Sequence, residues 1–375
     1  MIGPSNVFLS IYENDSGPEG IAALEDFKKK VPCKHEIVSD AHVSLQGFPR
    51  VTMPDGSQRT KRLAYLSEMR NRALRPLDRF TTKAGSVEFD KIMFLNDVAF
   101  RPVDAAHLLF NTDIDRDGHT RYLAACALDY KNPFLFYDLY AQRDAHGYSN
   151  GLPFFPIFSF SGNETSRQNM LDQKDAVRVS SCWSGMVAMQ ARYVQNRNSS
   201  LPSPGWQDVN SHVIEPARPT NVTAPVRFRH EPEIFYDACE CCLFMADVAE
   251  AARKADARER AIYVNPYIRV AYDFNTLSWL PLVRRWERVF AVPHAMLSKL
   301  ARLPTHNPYR TVKEGEVFTE EVWDGKQWRL VDRVGRNGLF CGAREMQLIQ
   351  EGERTDDVNW IDAKIPAGQA LHFPI

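Results

Sequence analysis

The chain has 375 residues, with 46 basic and 47 acidic side chains and 44% hydrophobic residues. The near-neutral balance argues against a nucleic-acid polyanion as the main partner. The apolar fraction suffices for two or three domains at about 150 residues each, or for one large α/β domain with additions. The longest apolar runs, such as Ala105-Ala106-His107-Leu108-Leu109-Phe110, fall far short of the ~18 residues of a membrane span.

The opening Met1-Ile2-Gly3-Pro4-Ser5-Asn6 has neither the basic nor the apolar region of a signal peptide. A strand-like Val7-Phe8-Leu9-Ser10-Ile11-Tyr12 follows at once, as in a catalytic domain trimmed of a targeting segment. After the polar turn Glu13 to Pro18, Ile21, Leu24 and Phe27 mark the core face of a helix whose end is lysine-rich. His35 to Ser39 reads as a second strand. Lys61 to Arg75 reads as a helix with Leu63, Leu66 and Leu74 inward, stopped by Pro76. Asp90 to Asp97 is the sharpest strand, apolar until it ends on Asn96-Asp97. Val103 to Phe110 is a short helix, and Tyr122 to Asp129 a buried strand closing on a carboxylate.

This β-α alternation over the first ~130 residues predicts a doubly wound, mostly parallel α/β sheet. Residues 145–235, rich in Pro, Asn, Ser and aromatics, read as long loops and short strands around a cleft. A helix is predicted from Leu243 to Ala261 and a strand from Ala261 to Pro266. Strand-like pieces between Val317 and Ile349 predict a small appended sheet. The boundaries drawn are 1–280 for the main domain, divided at 135/136 into two halves, and 281–375 for an extension packed on it.

In an open α/β sheet, ligands sit beyond the carboxyl ends of strands. A leaving diphosphate is neutralised by a hard divalent cation held by one or two carboxylates. Asp97 is the metal candidate, helped by Asn96 or by a distant group; the ordinary alternative is a turn or helix cap. Arg70 and Asn71 could meet a nucleotide, since arginine grips phosphate bidentately; the alternative is a solvated helix face with a Glu68–Arg72 pair. Asp138, Arg143 and Asp144, among Tyr137 and Tyr140, suit a sugar, or a loop ion pair. Gly185, in Cys182-Trp183-Ser184-Gly185-Met186, would let backbone approach a ligand, or simply make a turn. Glu240 is a candidate base or acceptor-binding carboxylate, or a helix-start acid favoured by the dipole. Tyr12 and Glu13 join the nucleotide side from the first strand end.

The seven cysteines include a cluster at Cys239, Cys241 and Cys242, without a partner cluster at zinc-finger spacing. Disulfides from that cluster suit an oxidising compartment. Sequons at Asn14, Asn163, Asn198 and Asn221 lean the same way.

Several of these segments, in order from about residue 7 to 273, together resemble glycosyltransferase family 69, the fungal family of cryptococcal α-1,3-mannosyltransferase and capsule-associated proteins. They include Phe8 to Glu13, Arg70-Asn71-Arg72-Ala73-Leu74, Phe94 to Val98, and Ala124 to Asp129. Tyr137-Asp138 with Arg143-Asp144, Cys182 to Met186, and Arg227-Phe228-Arg229 follow. Glu240-Cys241-Cys242-Leu243 and Val264-Asn265-Pro266 with Arg269-Val270-Ala271-Tyr272 complete the series. The resemblance implies a GT-A-type domain, GDP-mannose as donor, Mn2+ dependence, and retaining transfer to the 3-hydroxyl of an α-mannoside glycan. It also implies a Golgi-lumenal type II membrane protein whose anchor lies outside this sequence. His230-Glu231-Pro232-Glu233-Ile234-Phe235-Tyr236 departs from the small and polar residues expected before Glu240. Asp138 and Glu240 are the catalytic candidates. Competing readings are a non-catalytic carbohydrate-binding scaffold on the same fold, a transferase using another nucleotide-sugar, and a glycoside hydrolase with an Asp138/Glu240 pair.

Overall fold

A computed structural model of the chain describes residues 2–40, 42–80, 87–196, 222–255, 261–351 and 359–368. The sequons at Asn198 and Asn221 lie outside the described residues.

The first strand, β1 (Phe8–Asn14), leads into α1 (Gly17–Lys30), which has proline in its first turn, Glu19 near its start and three lysines at its end. Those charges complement the helix dipole. β2 (Lys34–Asp40) returns parallel to β1, in register from Phe8↔Lys34 to Asn14↔Asp40. A short hairpin of β3 (Arg50–Thr52) and β4 (Gln58–Thr60) precedes α2 (Arg62–Leu74) and the single turn α3 (Pro76–Arg79). The predicted core face of α1 is a correction: Ile21 and Phe27 stay exposed, and no residue of α1 is buried. β1 and β2 form a sheet of their own, so α1 has little apolar surface to cover.

β5 (Lys91–Leu95), α4 (Pro102–Phe110), β6 (Ala124–Tyr130), β7 (Arg143–Asp144), α5 (Glu164–Leu171), β8 (Val177–Ser181), β9 (Met186–Gln190), β10 (Asp237–Ala238), α6 (Glu240–Lys254) and β11 (Ile262–Ala271) follow. Six of these strands form the central sheet in the order β5-β9-β6-β11-β8-β7. Only β6 and β11 pair in parallel; the other four pairings are antiparallel. The sheet is therefore mixed, which corrects the mostly parallel expectation. The cause is β8 and β9, supplied by the stretch read as long loops and short strands, together with the two-residue β7 just before it. β9 inserts between β5 and β6, where Met186 to Met189 are buried on both faces. All seven residues of β6 are buried.

The chain continues through α7 (Phe274–Val283), α8 (Ala291–Leu300), a hairpin of β12 (Val317–Trp323) and β13 (Trp328–Val334), β14 (Gly342–Ala343), β15 (Gln347–Ile349) and β16 (Trp360–Asp362). Residues beyond 280 are tied back at several points. Cys242 and Cys341 form a disulfide, β14 pairs with β10, and Leu348 bridges Lys61. The buried Lys61 ammonium meets the Asp237 carboxylate at 2.6 Å and the carbonyls of Glu231, Glu233 and Tyr236. Arg336 pairs with Glu231, and Arg333 and Arg344 pair with Glu233. The divergent acids before Glu240 thus hold the C-terminal residues by mutually neutralised charge. No described helix is long and apolar enough to cross a membrane.

Candidate active site

β5, β6 and β11 run the same way, because β5 and β6 both oppose β9 and β6 parallels β11. Their carboxyl ends share one end of the sheet. Past Leu95, the Asn96 N–H donates to the Gly185 carbonyl at 2.9 Å. Ala99 then exchanges backbone hydrogen bonds with Ala271 at 2.7 and 3.1 Å. Asp97 is exposed on the bend between these two anchors. Gly185 has φ +72°, and a Cβ there would meet Val98 Cγ1 at 2.5 Å. This close approach is backbone to bend, so it shapes the site rather than a ligand contact.

Arg70, from α2, stands behind the bend. Its Nε donates to Glu240 Oε1 at 3.0 Å, and its Nη1 to Asn96 Oδ1 at 3.2 Å. The guanidinium packs among the rings of Trp183 at 5.2 Å, Phe228 at 5.7 Å and Phe94 at 5.9 Å, a cation in an aromatic cage. Trp183 Nε1 also donates to Asn96 Oδ1, at 3.3 Å. Burial works against the Arg70 charge, yet Cys241 and Glu240 raise its pKa above the ordinary arginine value. Glu240 opens α6, where the dipole favours an acid. Cys239 and Cys241 flank it as free, buried thiols. Burial pushes the Cys241 thiol well up, so it is no nucleophile at neutral pH.

A carboxylate pair lies on the other side of the Trp183-Ser184-Gly185 turn. Asp138 Oδ2 accepts from the Ser184 N–H at 3.0 Å, and its Oδ1 from Ala141 and Tyr140. Asp129, near the end of β6, accepts from the Asp138 N–H at 3.1 Å and from the Tyr272 hydroxyl at 2.8 Å. Burial, then the Asp138 charge, pushes Asp129 up to about 7. Burial likewise raises Asp138, against its backbone hydrogen bonds. Neighbouring carboxylates in low dielectric cannot both ionise freely. The Cys126–Cys182 disulfide fastens β6 to the residue before Trp183 and holds this turn in place.

β1 faces β5 across a cleft of about 400 Å³ floored by Met69, Arg70 and Ala73 of α2. Tyr12 lines it, and its hydroxyl lies 2.6 Å from both Asp40 and Arg72. Glu13 does not line the cleft; it accepts from the Ser16 N–H and the Ser39 hydroxyl.

The structure thus brings together Arg70, Asn96 and Glu240, with Asp97 beside them and Asp138 across one turn. It places the other predicted residues differently. Both amide atoms of Asn71 bind the Phe228 peptide group, each at 2.8 Å. Arg143 donates to the carbonyls of Tyr140, Gln142, Phe340 and Cys341. Asp144 accepts from the N–H groups of His146, Tyr148 and Asn163. Asn163 is 6% exposed and caps α5, so that sequon does not offer a glycan site. Asp129, Trp183 and Tyr272 belong to the site without having been assigned roles; the strand-end carboxylate of Asp129 was the available signal.

The buried Cys239, Glu240 and Cys241 are a group of three potential metal-ligating side chains among the described residues. Thiol donors beside an arginine do not suit a hard cation. Asp97 does: its exposed carboxylate is engaged by no described residue. One carboxylate completed by substrate phosphates and water is an ordinary Mg2+-like or Mn2+-like site.

The sequence profile of a family described as cryptococcal mannosyltransferase 1 matches residues 1–247. No curated protein and no solved structure matches the chain.

Proposed function

The chain belongs to the cryptococcal mannosyltransferase 1 family, and from that premise we propose a metal-dependent, retaining α-1,3-mannosyltransferase on a GT-A-type fold. The donor is GDP-mannose and the acceptor the 3-hydroxyl of an α-mannoside. The observation that carries this reading is the convergence of Arg70, Asn96, Asp97 and the Asp129/Asp138 pair around the carboxyl ends of β5, β6 and β11. Asp97 holds Mn2+, which when bound neutralises the leaving diphosphate. The cleft between β1 and β5, with Tyr12 and Asn14 on its wall, has the size of a small-molecule site. It receives the nucleotide, and Arg70 reaches the phosphates from its floor. Glu240 fixes the Arg70 fork and keeps it charged, so it acts through Arg70 as a positioning residue. Asp138, held by three backbone N–H groups, keeps lone pairs for sugar hydroxyls.

The test is a donor screen with Mn2+ and an α-mannoside acceptor, using wild type and Asp97→Ala. GDP-mannose should be consumed, and Asp97→Ala should lose about 10³-fold or more in turnover. Full Mn2+-dependent turnover by Asp97→Ala would sink the assignment, and preference for another nucleotide-sugar would replace the donor.

A further inference from the structure

The stretch from Phe274 to Arg302, comprising α7, the turn at Glu287–Phe290 and α8, is folded inside out. Its buried side includes the polar Thr276, Glu287, His294 and Ser298. Most of its large apolar residues are exposed: Trp286 is 65% exposed, Val289 68%, Met296 69%, Phe274 77% and Leu300 81%. The inner side is firmly seated, so this is not a loosely attached segment. Leu277, Leu280 and Ala291 join the main core, Glu287 pairs with Arg269 at 2.8 Å, and Phe290 meets the rings of Phe134 and Phe154.

The outer face is also basic. Arg285, Arg288, Lys299 and Arg302 are exposed among the apolar residues. Arg284 lies over the Tyr267 ring at 3.8 Å. The stretch has one acid, Glu287, and that acid is buried. Within this stretch the exposed charges are therefore all cations, on a chain whose net charge is −1; the nearest exposed acid in sequence, Asp273, is tied up as the N-cap of α7.

We propose that this face is a membrane-docking surface that seats on an anionic lipid bilayer. Large apolar side chains exposed in such number along one short stretch of chain mark an interaction site. Tryptophan and aliphatic side chains interleaved with arginine and lysine match the headgroup–acyl boundary, where aromatic rings settle and cations meet lipid phosphates. α7 and α8 have 10 residues each, about half a bilayer core in length, so they lie in the interface and do not span it. A two-fold contact with a second copy would press the same cations against one another. α7 begins two residues after Tyr272, the partner of Asp129, and the Tyr137 ring packs at a tilt against Tyr272, with centroids 4.6 Å apart. The docked bilayer therefore lies at the end of the sheet that carries the candidate site.

The full chain is tested by co-sedimentation with phosphatidylcholine vesicles, with and without phosphatidylserine. Wild type should sediment with the anionic vesicles, with a blue shift of tryptophan fluorescence. Arg285→Glu/Arg288→Glu should bind them about 30-fold more weakly or worse, and Met296→Ser/Leu300→Ser should lose binding. These residues are exposed, so the melting temperature should not move. Absence of vesicle binding, or binding unchanged in both variants, overturns the proposal. A dimer in sedimentation velocity that Met296→Ser/Leu300→Ser dissolves, without vesicle binding, assigns the face to a second copy instead.

Discussion

Neutralising Glu240 tests how the centre of the site is held. Arg70 and Glu240 are 3.0 Å apart, with side chains 17% and 3% exposed. At an effective dielectric near 20, their attraction is about 5 kcal/mol before the cost of removing both ions from water. That desolvation is several kcal/mol per ion, so much of the attraction is already offset. Removing one partner leaves the other charge buried alone, which costs about 3–5 kcal/mol. Glu240→Gln keeps an acceptor for Arg70 Nε and belongs at the low end, near 3 kcal/mol. For a chain of this size that is a fall of roughly 4 °C in melting temperature. Arg70→Met should cost a similar amount, and the double variant less than the sum, with a coupling of about 2 kcal/mol. Calorimetry of the four proteins measures the cycle. Additivity within about 0.5 kcal/mol would refute the buried pair. Kinetics separate the roles: a positioning residue should raise the donor KM in Glu240→Gln as Arg70→Lys does, with kcat falling less than about tenfold. Collapse of kcat by about 10³-fold at unchanged KM would make Glu240 the reacting carboxylate instead.

Three further outcomes follow from the same geometry. Asp129 is raised to about 7 in the fold against about 3.9 in an unfolded chain, so the folded state binds more protons between those values. Its contribution to stability should therefore fall as pH rises from about 4 to 7, and urea midpoints for wild type and Asp129→Asn should diverge in slope across that window. Gly185→Ala introduces a Cβ 2.5 Å from Val98 at φ +72°; a loss of about 1–3 kcal/mol is expected, with partial recovery in Gly185→Ala/Val98→Ala. The Cys242–Cys341 disulfide closes a separation of 99 residues, so removing it by Cys242→Ala/Cys341→Ala should cost about 4–5 kcal/mol by chain entropy. An unchanged denaturation midpoint would show that the Arg333, Arg336 and Arg344 pairs hold the C-terminal residues by themselves.

The sequence alone determined the elements whose signal is local. β1, β5, β6 and β11 announced themselves as apolar runs and α2 and α4 as helical periods with suitable ends, while α6 was legible as a helix but not in its bounds, Glu240–Lys254 against the expected Leu243 to Ala261. Asn96-Asp97 was visible as an abrupt polar close to an apolar strand, and the ordered motifs carried the family. What only the tertiary structure decided was pairing across long separations. Glu240 reaches Arg70 across 170 residues, and Cys182 reaches Cys126 across 56. Nothing local distinguishes Arg70, whose guanidinium enters the cage, from Arg72, whose guanidinium meets Tyr12. β7 has only two residues, and β8 and β9 sit in a stretch whose Pro, Asn and Ser content reads as loop, so the mixed sheet was hidden. Asn71, Arg143 and Asp144 have the right chemistry for ligands, but backbone groups claimed them first. The face from Phe274 to Arg302 shows the same limit: its composition reads as core, and only the fold reveals that most of its large apolar side chains are exposed.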